Sequence, residues 1–541
     1  VNGGTAGGDM AWSPDGKGFY YTRYPREGER PAEDLGFYQE VWYHELGAPL
    51  DEDFYIFGKG LPRISEIRLS MNERTGRLLV AVQEGDSGRF SHFIIVAKGA
   101  DGREDGERAR AGAGEADGGP GGSDAAGDRK GIGRRAGNVG SVGSAAGDAR
   151  KITDFADGIV EAAWGRADDL YLVSRRDAPR GKILHLAPAA SPLEKAKTII
   201  QEGADVIASG FGPSLLAVTP ARLYVTYQLG GPSEIRAFSL DGSPASKPGA
   251  EPLSGVSQVV TLDDDAILFL SSSYVRPPGW YIHDPSQGTP EARKTALFSV
   301  SPVDFSDVEA VREFAVSKDG TRIPVDILMP KGISRDGTHP AVLYGYGGFG
   351  ISMSPRFSAL RHIWAERGVI FAVAVIRGGG EYGEDWHRAG ALTNKQNVFD
   401  DFAAAMEHLV ERGYTQPGRL AIVGGSNGGL LMGAMITQHP DLFKAAVSSV
   451  GIYDMLRNEL TPNGSFNIPE YGTVKDKAQF EALFSYSPYH GVKSGTAYPA
   501  VLFMTGANDP RVDPMHSRKM AARLQAATSS GNPILLRTSS T

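Results

Sequence analysis

The sequence predicts two domains: a β-propeller over residues 1–302, followed by a doubly wound α/β domain over residues 303–541. In the first half, short strand-like runs recur at intervals of about 45 to 55 residues once one insertion is set aside, which is typical of propeller blades. From about Val303 onwards, apolar strand-like runs alternate with helix-like stretches, which is typical of a parallel sheet covered by helices.

The recurring unit of the first half is a short apolar run, and several of these runs follow a turn rich in Asp, Gly or Asn. The five runs that resemble one another are residues 18–21, 77–80, 169–172, 222–225 and 266–269. We expect each run to occupy the same strand in one of five blades of an incomplete propeller. An irregular β-sandwich is the alternative interpretation of this pattern.

One insertion, at about residues 99–150, interrupts the repeat. Gly, Ala, Asp and Arg dominate it, and it contains no aromatic residue. Such a segment buries too little apolar surface to offset the entropy lost on ordering. We therefore expect a disordered loop within one blade.

The bulk composition excludes several classes of function. A formal net charge of -8 in 541 residues indicates no basic surface for nucleic acid or an anionic membrane. No apolar run approaches the roughly 18 residues of a membrane span. The chain has no cysteine, which excludes thiolate catalysis, disulfides and cysteine-based zinc sites.

The stretch AVLYGYGGFG, residues 341–350, has the spacing of a dinucleotide-binding fingerprint. That fingerprint requires a helix that begins within the glycines and an acidic residue at the end of the next strand. Here Pro355 interrupts any immediate helix, and the next strand ends at Arg377. We therefore interpret the glycines as a loop that lets the backbone approach a substrate closely, not as a cofactor site.

The stretch LAIVGGSNGGLL, residues 420–431, predicts a strand, a tight G-x-S-x-G turn and an apolar helix. This pattern is the nucleophile elbow of α/β-hydrolases, in which the serine hydroxyl stands clear of the sheet. Ser426 is the candidate nucleophile, the Asn427 amide is one candidate oxyanion donor, and residues 345–350 are expected to supply a second. A glycine-rich turn that contains serine by chance is the alternative.

The order Ser, Asp, His along α/β-hydrolase chains directs attention to the strand-like stretch that begins at Tyr498 and ends in the polar turn GANDPRV. Asp509 in that turn is the candidate triad acid. For a single aspartate after a strand the alternative is a turn residue, but its order and distance after Ser426 favour the catalytic interpretation.

At this point a family resemblance becomes specific. The segments YGYGGF, IRGGGEYGEDWH, NKQN-FDDF, GGSNGGLL and ND-RV, in this order and spacing, resemble the catalytic domain of prolyl oligopeptidase. The resemblance is dense over residues 303–541 and looser over residues 7–302. It implies a serine peptidase that cleaves short peptides through an acyl-enzyme, with no metal and no organic cofactor.

The resemblance also implies roles for individual residues. Ser426 corresponds to the nucleophile, Asp509 to the triad acid, and Tyr346 to a tyrosine whose hydroxyl shares the oxyanion with the Asn427 amide. Arg511 corresponds to an arginine that binds a substrate carbonyl. The positions that line the family's proline pocket are Phe349, Ile452, Tyr471 and Val512.

Several positions depart from the family pattern. Asn467 stands where the family has a tryptophan that stacks on the substrate proline, and neighbouring Phe466 is the candidate replacement. In the propeller, Gln83 stands in place of an arginine that reaches the active site, and Asp86 in place of a cysteine. We therefore expect a weaker preference for proline than in the family.

The family's triad histidine is expected a few residues beyond Thr541, so we interpret the sequence as a fragment that also lacks an N-terminal segment. His516 is the only histidine after Asp509, and we expect it to be structural or exposed.

The predicted function is a monomeric serine oligopeptidase that cleaves short peptides, preferentially after proline. A broader oligopeptidase or acylaminoacyl-type hydrolase and a non-catalytic propeller scaffold are the alternatives. Its expected compartment is the cytoplasm, with the periplasm as the alternative.

Overall fold

The computed structural model describes residues 8–97, 149–209, 214–289 and 291–540. The predicted disorder of residues 99–150 concerns a segment that lies outside the described residues, except for its last two positions.

Five antiparallel sheets follow one another along the first part of the chain, and each is one propeller blade. Blade 1 contains β1 (Met10–Trp12), β2 (Gly18–Arg23), β3 (Glu40–Glu45) and β4 (Phe54–Phe57); blade 2 contains β5 (Ser65–Asn72), β6 (Arg77–Glu84), β7 (Phe90–Val96) and β8 (Arg150–Thr153); blade 3 contains β9 (Ile159–Trp164), β10 (Leu170–Ser174), β11 (Lys182–Leu186) and β12 (Lys197–Ile200). Blade 4 contains β13 (Val206–Ile207), β14 (Leu216–Val218), β15 (Arg222–Gln228), β16 (Ser233–Ser239) and β17 (Pro244–Ala245); blade 5 contains β18 (Ser254–Thr261), β19 (Ile267–Ser273), β20 (Gly279–His283) and β21 (Arg293–Phe298).

The five runs singled out from the sequence lie in β2, β6, β10, β15 and β19, which are interior strands of the five blades. The prediction of a propeller is therefore confirmed, and the β-sandwich interpretation was wrong. An inner blade buries both faces of its strands because successive side chains point to opposite sides. On β6, Val80 packs with the core shared with blade 1, whereas Leu79 packs with the core shared with blade 3.

The second domain is built on one eight-stranded sheet. Its strands are β22 (Val308–Val316), β23 (Arg322–Pro330), β24 (Ala341–Tyr344), β25 (Ile370–Ala374), β26 (Leu420–Gly425), β27 (Ala445–Ser449), β28 (Ala500–Gly506) and β29 (Ile534–Ser539). Their spatial order is β22-β23-β25-β24-β26-β27-β28-β29. All pairings from β25 to β29 are parallel, and β22 and β23 extend one edge in antiparallel fashion.

The α-helices of this domain are α1 (Leu360–Ala365), α2 (Glu384–Arg388), α3 (Gln396–Glu411), α4 (Asn427–Gln438), α5 (Ile468–Tyr471), α6 (Lys477–Tyr486), α7 (Pro488–Gly491) and α8 (Met515–Ala527). The longest, α3, buries Phe399, Phe402, Met406 and Leu409, a spacing of three or four residues that forms one apolar face.

The strand order determines where a site can form. β25 and β26 are the next two strands along the chain after β24, and they lie on opposite sides of it in the sheet. The carboxyl ends of parallel strands meet at one edge of the sheet, and ligands bind where the strand order reverses. The loops that follow β24 and β26 therefore converge at this edge.

Candidate active site

Ser426 occupies a strained turn between β26 and α4. Its backbone angles are φ 57° and ψ -121°, a conformation that L-residues with a side chain rarely adopt. A Cβ atom at Gly424 would lie 2.3 Å from the Gly428 carbonyl oxygen, and one at Gly428 would lie 2.8 Å from the Gly345 carbonyl oxygen. The glycines are therefore required for the close approach of strand, helix and neighbouring loop that produces the elbow.

The loop that follows β24 brings Tyr346 close to Ser426, and both residues line the same cavity. Burial raises the pKa of Tyr346 to about 12, and the neighbouring Ser426 hydroxyl acts in the opposite direction. Its hydroxyl is therefore a neutral donor at physiological pH. Asn427 fixes the same loop, because its Nδ2 donates to the Tyr346 carbonyl oxygen over 2.5 Å.

The glycine-rich loop does not build a dinucleotide site. The next α-helix along the chain begins at Leu360, ten residues after Gly350, so no helix begins within the glycine motif. A Cβ atom at Gly347 would lie 2.5 Å from a Val398 methyl group of α3. Gly347 therefore serves close packing of the loop against the helix, whereas the sequence interpretation assigned the glycines to close approach of a substrate.

The Asn427 backbone amide is the first amide of α4, where helical geometry leaves N–H groups without an intrahelical partner. Within the described residues it donates to no carbonyl or side-chain oxygen. The Asn427 side chain is held from the other side by Tyr471, whose hydroxyl donates to its Oδ1 over 3.0 Å.

Asp509 lies in the loop that follows β28, at the same edge of the sheet as the elbow. Its Oδ1 accepts hydrogen bonds from the backbone amides of Arg511 (2.9 Å) and Val512 (3.0 Å). The carboxylate is partly exposed and shapes the turn that carries Arg511 into the site.

A cavity of about 110 Å³ adjoins Ser426. It is lined by Asp86, Tyr346, Phe349, Ile351, Ser426, Ile452, Asn463, Asn467, Arg511 and Val512. The structure thus brings together most of the residues singled out as pocket-forming. No histidine of the described residues lines this cavity.

Two predicted pocket residues lie behind the cavity wall instead of lining it. Tyr471 packs edge-on against Phe349, with ring centroids 5.5 Å apart, and uses its hydroxyl to hold Asn427. Phe466 stacks on Phe37 of the propeller at 5.2 Å and an interplanar angle of 16°. Phe466 therefore forms part of the contact between the domains. It does not line the cavity, which corrects the expectation that it supplies the ring that stacks on a substrate proline.

His516 at the start of α8 is buried and does not line the cavity. Its Nδ1 accepts from the backbone amides of Tyr453 (3.3 Å) and Asp454 (3.1 Å). Burial lowers the pKa of His516 to about 4. Of the two expectations for His516, structural or exposed, the structure shows the structural one.

Asp86 reaches the cavity from blade 2 and is 6 % exposed. Its carboxylate accepts from Asn467 Nδ2 at 3.2 Å and pairs with the Arg511 guanidinium at 3.4 Å. The sequence marked this position only as a departure from the family. Nothing in the local pattern indicated that it would contact residues 381 and 425 positions away.

A buried ionic network supports the site from below, and sequence reasoning did not find it. Lys395 Nζ donates to Glu470 Oε1 at 2.7 Å and to the Gly347 carbonyl oxygen at 3.0 Å. Glu470 also pairs with His387 at 2.8 Å. The available signal was the segment NKQN, which contains Lys395.

Comparison with known protein families agrees with this architecture. The profile described as "Prolyl oligopeptidase family" matches residues 355–540, and the one described as "Prolyl oligopeptidase, N-terminal beta-propeller domain" matches residues 1–107 and 141–296. The chain belongs to the prolyl oligopeptidase family. The propeller profile resumes at residue 141, so the interval between its two parts lies within the predicted insertion.

Individual relatives cover different parts of the chain. A prolyl endopeptidase of Elizabethkingia meningoseptica is 38% identical over 390 residues, which are 71% of this chain and 54% of the relative. A prolyl oligopeptidase of Omphalotus olearius is 31% identical over 542 residues, covering 98% of this chain and 66% of the relative. The chain spans about half the length of the first curated prolyl oligopeptidase relatives that it matches.

Solved prolyl oligopeptidase structures superpose over nearly the whole chain. One, from a study of two prolyl endopeptidases, has a TM-score of 0.81 at 32% identity and covers 98% of this chain and 70% of its own. Prolyl oligopeptidase B from Galerina marginata, bound to a 35-residue hydrolysis and macrocyclization substrate, has a TM-score of 0.80 at 26% identity, with 98% and 68% covered.

Structures of the Galerina protein include variants in which a serine, an aspartate or a histidine is replaced by alanine. In that protein the aspartate follows the serine by 84 positions, and the histidine follows the aspartate by 37. In this chain Asp509 follows Ser426 by 83 positions.

Among the described residues, no helix has both the length and the apolar character needed to cross a lipid bilayer.

Proposed function

We propose that this protein is a serine peptidase that hydrolyses short peptides, preferentially after proline, through an acyl-enzyme on Ser426. The observation that carries the proposal is the strained Ser426 at the wall of a small cavity that Tyr346 also lines. Strain of this kind persists only where the surrounding structure imposes it, and it clusters at functional sites.

In the proposed reaction, Ser426 Oγ attacks the carbonyl carbon of the scissile peptide bond while a base takes its proton. The carbonyl oxygen becomes an oxyanion that accepts hydrogen bonds from the Tyr346 hydroxyl and the Asn427 amide. One such donor is worth roughly 3 to 4 kcal/mol of transition-state stabilisation. The base then protonates the leaving amine. In the second half of the reaction, the base takes a proton from the water that attacks the ester, and it then returns a proton to Ser426 Oγ.

The proposed base is a histidine that follows Asp509 in the chain. His516 does not fit this role, because it is buried, lies outside the cavity and uses Nδ1 to accept two backbone hydrogen bonds. The interval from serine to aspartate is the same as in the Galerina protein to within one residue. When the Galerina interval from aspartate to histidine is counted from Asp509, it ends beyond Thr541. This supports a base outside the sequence described here, oriented by Asp509.

The propeller supports a preference for short substrates. A channel of about 1020 Å³ is lined by residues of all five blades and by Arg511, which also lines the catalytic cavity. Peptides that reach Ser426 along this path would have to be unfolded.

A second candidate is a peptidase of broader specificity with the same mechanism. It is favoured by the polar Asn467 and Asp86 in the cavity wall, since Asn467 stands where the family resemblance places a stacking tryptophan. The two candidates differ only in the residue preferred before the scissile bond.

The experiment is covalent labelling of the full-length protein with a fluorophosphonate probe, followed by peptide mapping. We expect the label on Ser426 and its loss in Ser426→Ala. Ser449→Ala is the matched control, because Ser449 ends β27, the strand beside the elbow, and should not affect labelling. Labelling that persists in Ser426→Ala would contradict the proposed nucleophile.

A further inference from the structure

The path from the propeller channel to Ser426 carries an excess of acidic groups. Its ionisable carboxylates are Asp9, Glu66, Asp86 and Glu161, and its guanidinium groups are Arg68 and Arg511. With all of these groups ionised, the path contains two more negative than positive charges. Low-dielectric walls focus the field of such groups along a cleft and favour an oppositely charged ligand.

Glu66 is the least satisfied of these carboxylates. Its side chain lines the channel, is only 8 % exposed, and its Oε1 has no hydrogen-bond partner among the described residues. Burial, together with the charge of Asp86, raises the pKa of Glu66 to about 7. An unpaired buried carboxylate is costly, and a proton or a bound cation removes this cost.

Asp86 lines the cavity beside Ser426, which shares Arg511 with the propeller channel. Its two contacts are both long, 3.2 Å to Asn467 and 3.4 Å to Arg511. Burial raises the pKa of Asp86 as well, in spite of the opposing charge of Arg511. Arg511 lines both the channel and the cavity, so one guanidinium lies among two carboxylates.

We propose that Asp86 and Glu66 form a subsite for a cationic nitrogen of the peptide substrate. The chemistry is that of an ammonium or guanidinium group, supplied by a Lys or Arg side chain or by the N-terminal amine. Asp86 contacts Asn467, which stands where the family resemblance places the ring that stacks on the substrate proline, so the cation belongs on the side before the scissile bond. The proposal rests on the proposed peptidase function and deepens it.

The test measures binding without turnover, so that its result does not depend on catalysis. Peptides are titrated into full-length Ser426→Ala protein by calorimetry. They differ only in Lys, norleucine or Glu at the second or third residue before the scissile bond, each with a free or an acetylated N-terminus. We expect Lys peptides to bind at least about tenfold more tightly than norleucine peptides, and Glu peptides more weakly than either.

The acetylated and free peptides distinguish the two sources of the cation. A preference for Lys that survives acetylation assigns the subsite to a side chain, whereas a preference that depends on the free amine assigns it to the N-terminus. Either result supports the proposal. Equal affinity for Lys, norleucine and free-amine peptides would overturn it, and labelling of Ser426 would then still decide the proposed function separately.

Variants locate the subsite. Asp86→Asn and Glu66→Gln, each in the Ser426→Ala background, should reduce the Lys preference to less than about threefold. Glu66→Gln, which lies outside the catalytic cavity, should also leave the affinity for acetylated norleucine peptides nearly unchanged. Asp51→Asn, an exposed carboxylate of blade 1, is the matched control. An equal loss of affinity for every peptide in Asp86→Asn and an unchanged Lys preference in Glu66→Gln would show that Asp86 only positions Arg511, and the proposal would be wrong.

Discussion

Lys395 and Glu470 form a completely buried ion pair, with Nζ and Oε1 2.7 Å apart and both side chains at most 1 % exposed. The ammonium also holds the Gly347 carbonyl, next to Tyr346, whereas Glu470 precedes Tyr471, which holds Asn427. The pair therefore joins the two segments that support the oxyanion donors.

Replacing Glu470 by Gln should leave a buried ammonium without a counter-charge. Breaking a buried pair in this way typically costs about 3–5 kcal/mol in the free energy of unfolding. We also expect kcat to fall more than KM rises, because the Tyr346 loop loses its support. Urea unfolding and steady-state kinetics measure the two effects. Glu481→Gln, which breaks an exposed Lys477 pair at 3.9 Å, is the control and should change the unfolding free energy by less than about 1 kcal/mol. An equally small change in Glu470→Gln would contradict the prediction.

The stability of the protein should decrease as pH rises from about 6.5 to 9. Burial acts to lower the pKa of His387, but hydrogen bonds with Glu384 and Glu470 outweigh it and raise the pKa to about 9. Because this lies above the unfolded value of about 6.5, the stabilisation is complete below pH 6.5 and disappears as pH rises through 9; it amounts to at most about 3 kcal/mol. Urea unfolding at several pH values measures it. The slope should be smaller in His387→Gln and unchanged in His439→Gln; equal slopes in all three proteins would refute the assignment.

Tyr346→Phe should lower kcat by about 10²- to 10³-fold with little change in KM. The phenyl ring keeps the packing of the loop, but the donor to the oxyanion is lost. Steady-state kinetics on a peptidyl-proline reporter measures the effect. Tyr344→Phe, two residues earlier at the end of β24, serves as the control and should stay within about threefold. A rise in KM alone would show that Tyr346 binds substrate and does not stabilise the transition state.

Asn467→Trp should sharpen the preference for proline. An aromatic face at this position adds about 0.5–1.5 kcal/mol beyond the burial of area, which is roughly a two- to tenfold gain in the ratio of kcat/KM for matched Pro and Ala substrates. Asn467→Leu supplies apolar volume without a ring and is the control. If the unmodified enzyme already favours Pro by 10⁴-fold or more, in the range of strong discrimination, another group performs the stacking and the prediction is wrong.

Removing residues 100–149 should leave the free energy of unfolding within about 1 kcal/mol and activity nearly unchanged. The segment joins β7 to β8, which are antiparallel neighbours with Ile94 paired to Arg150, so a short turn can reconnect the strands. Linkers of four and eight Gly and Ser residues separate the effect of the deletion from strain in the new turn. A loss above about 2 kcal/mol with both linkers would show that the segment packs against the protein.

Features encoded by neighbouring residues were predictable. The five recurring runs were recognised as equivalent strands because two-residue periodicity and polar turns are local properties, and the structure places each in the interior of a blade. The Ser426 elbow was likewise predictable, since its sharp turn requires small residues at fixed offsets from the serine.

The surroundings of the elbow depended on tertiary structure. Phe466 was expected in the cavity but stacks on Phe37 of the propeller, and Asp86 was noted only as a substitution but lines the cavity. The Lys395–Glu470 pair was not predictable, because the segment NKQN that contains Lys395 does not indicate a partner 75 positions away. The sequence by itself determined the strands, the blades and the strained turn that presents Ser426, since these follow from steric and periodic rules within a few residues. Only the docking of blades 1 and 2 on the catalytic domain decided which charges and rings line the cavity, because those contacts join residues that only the complete fold brings together.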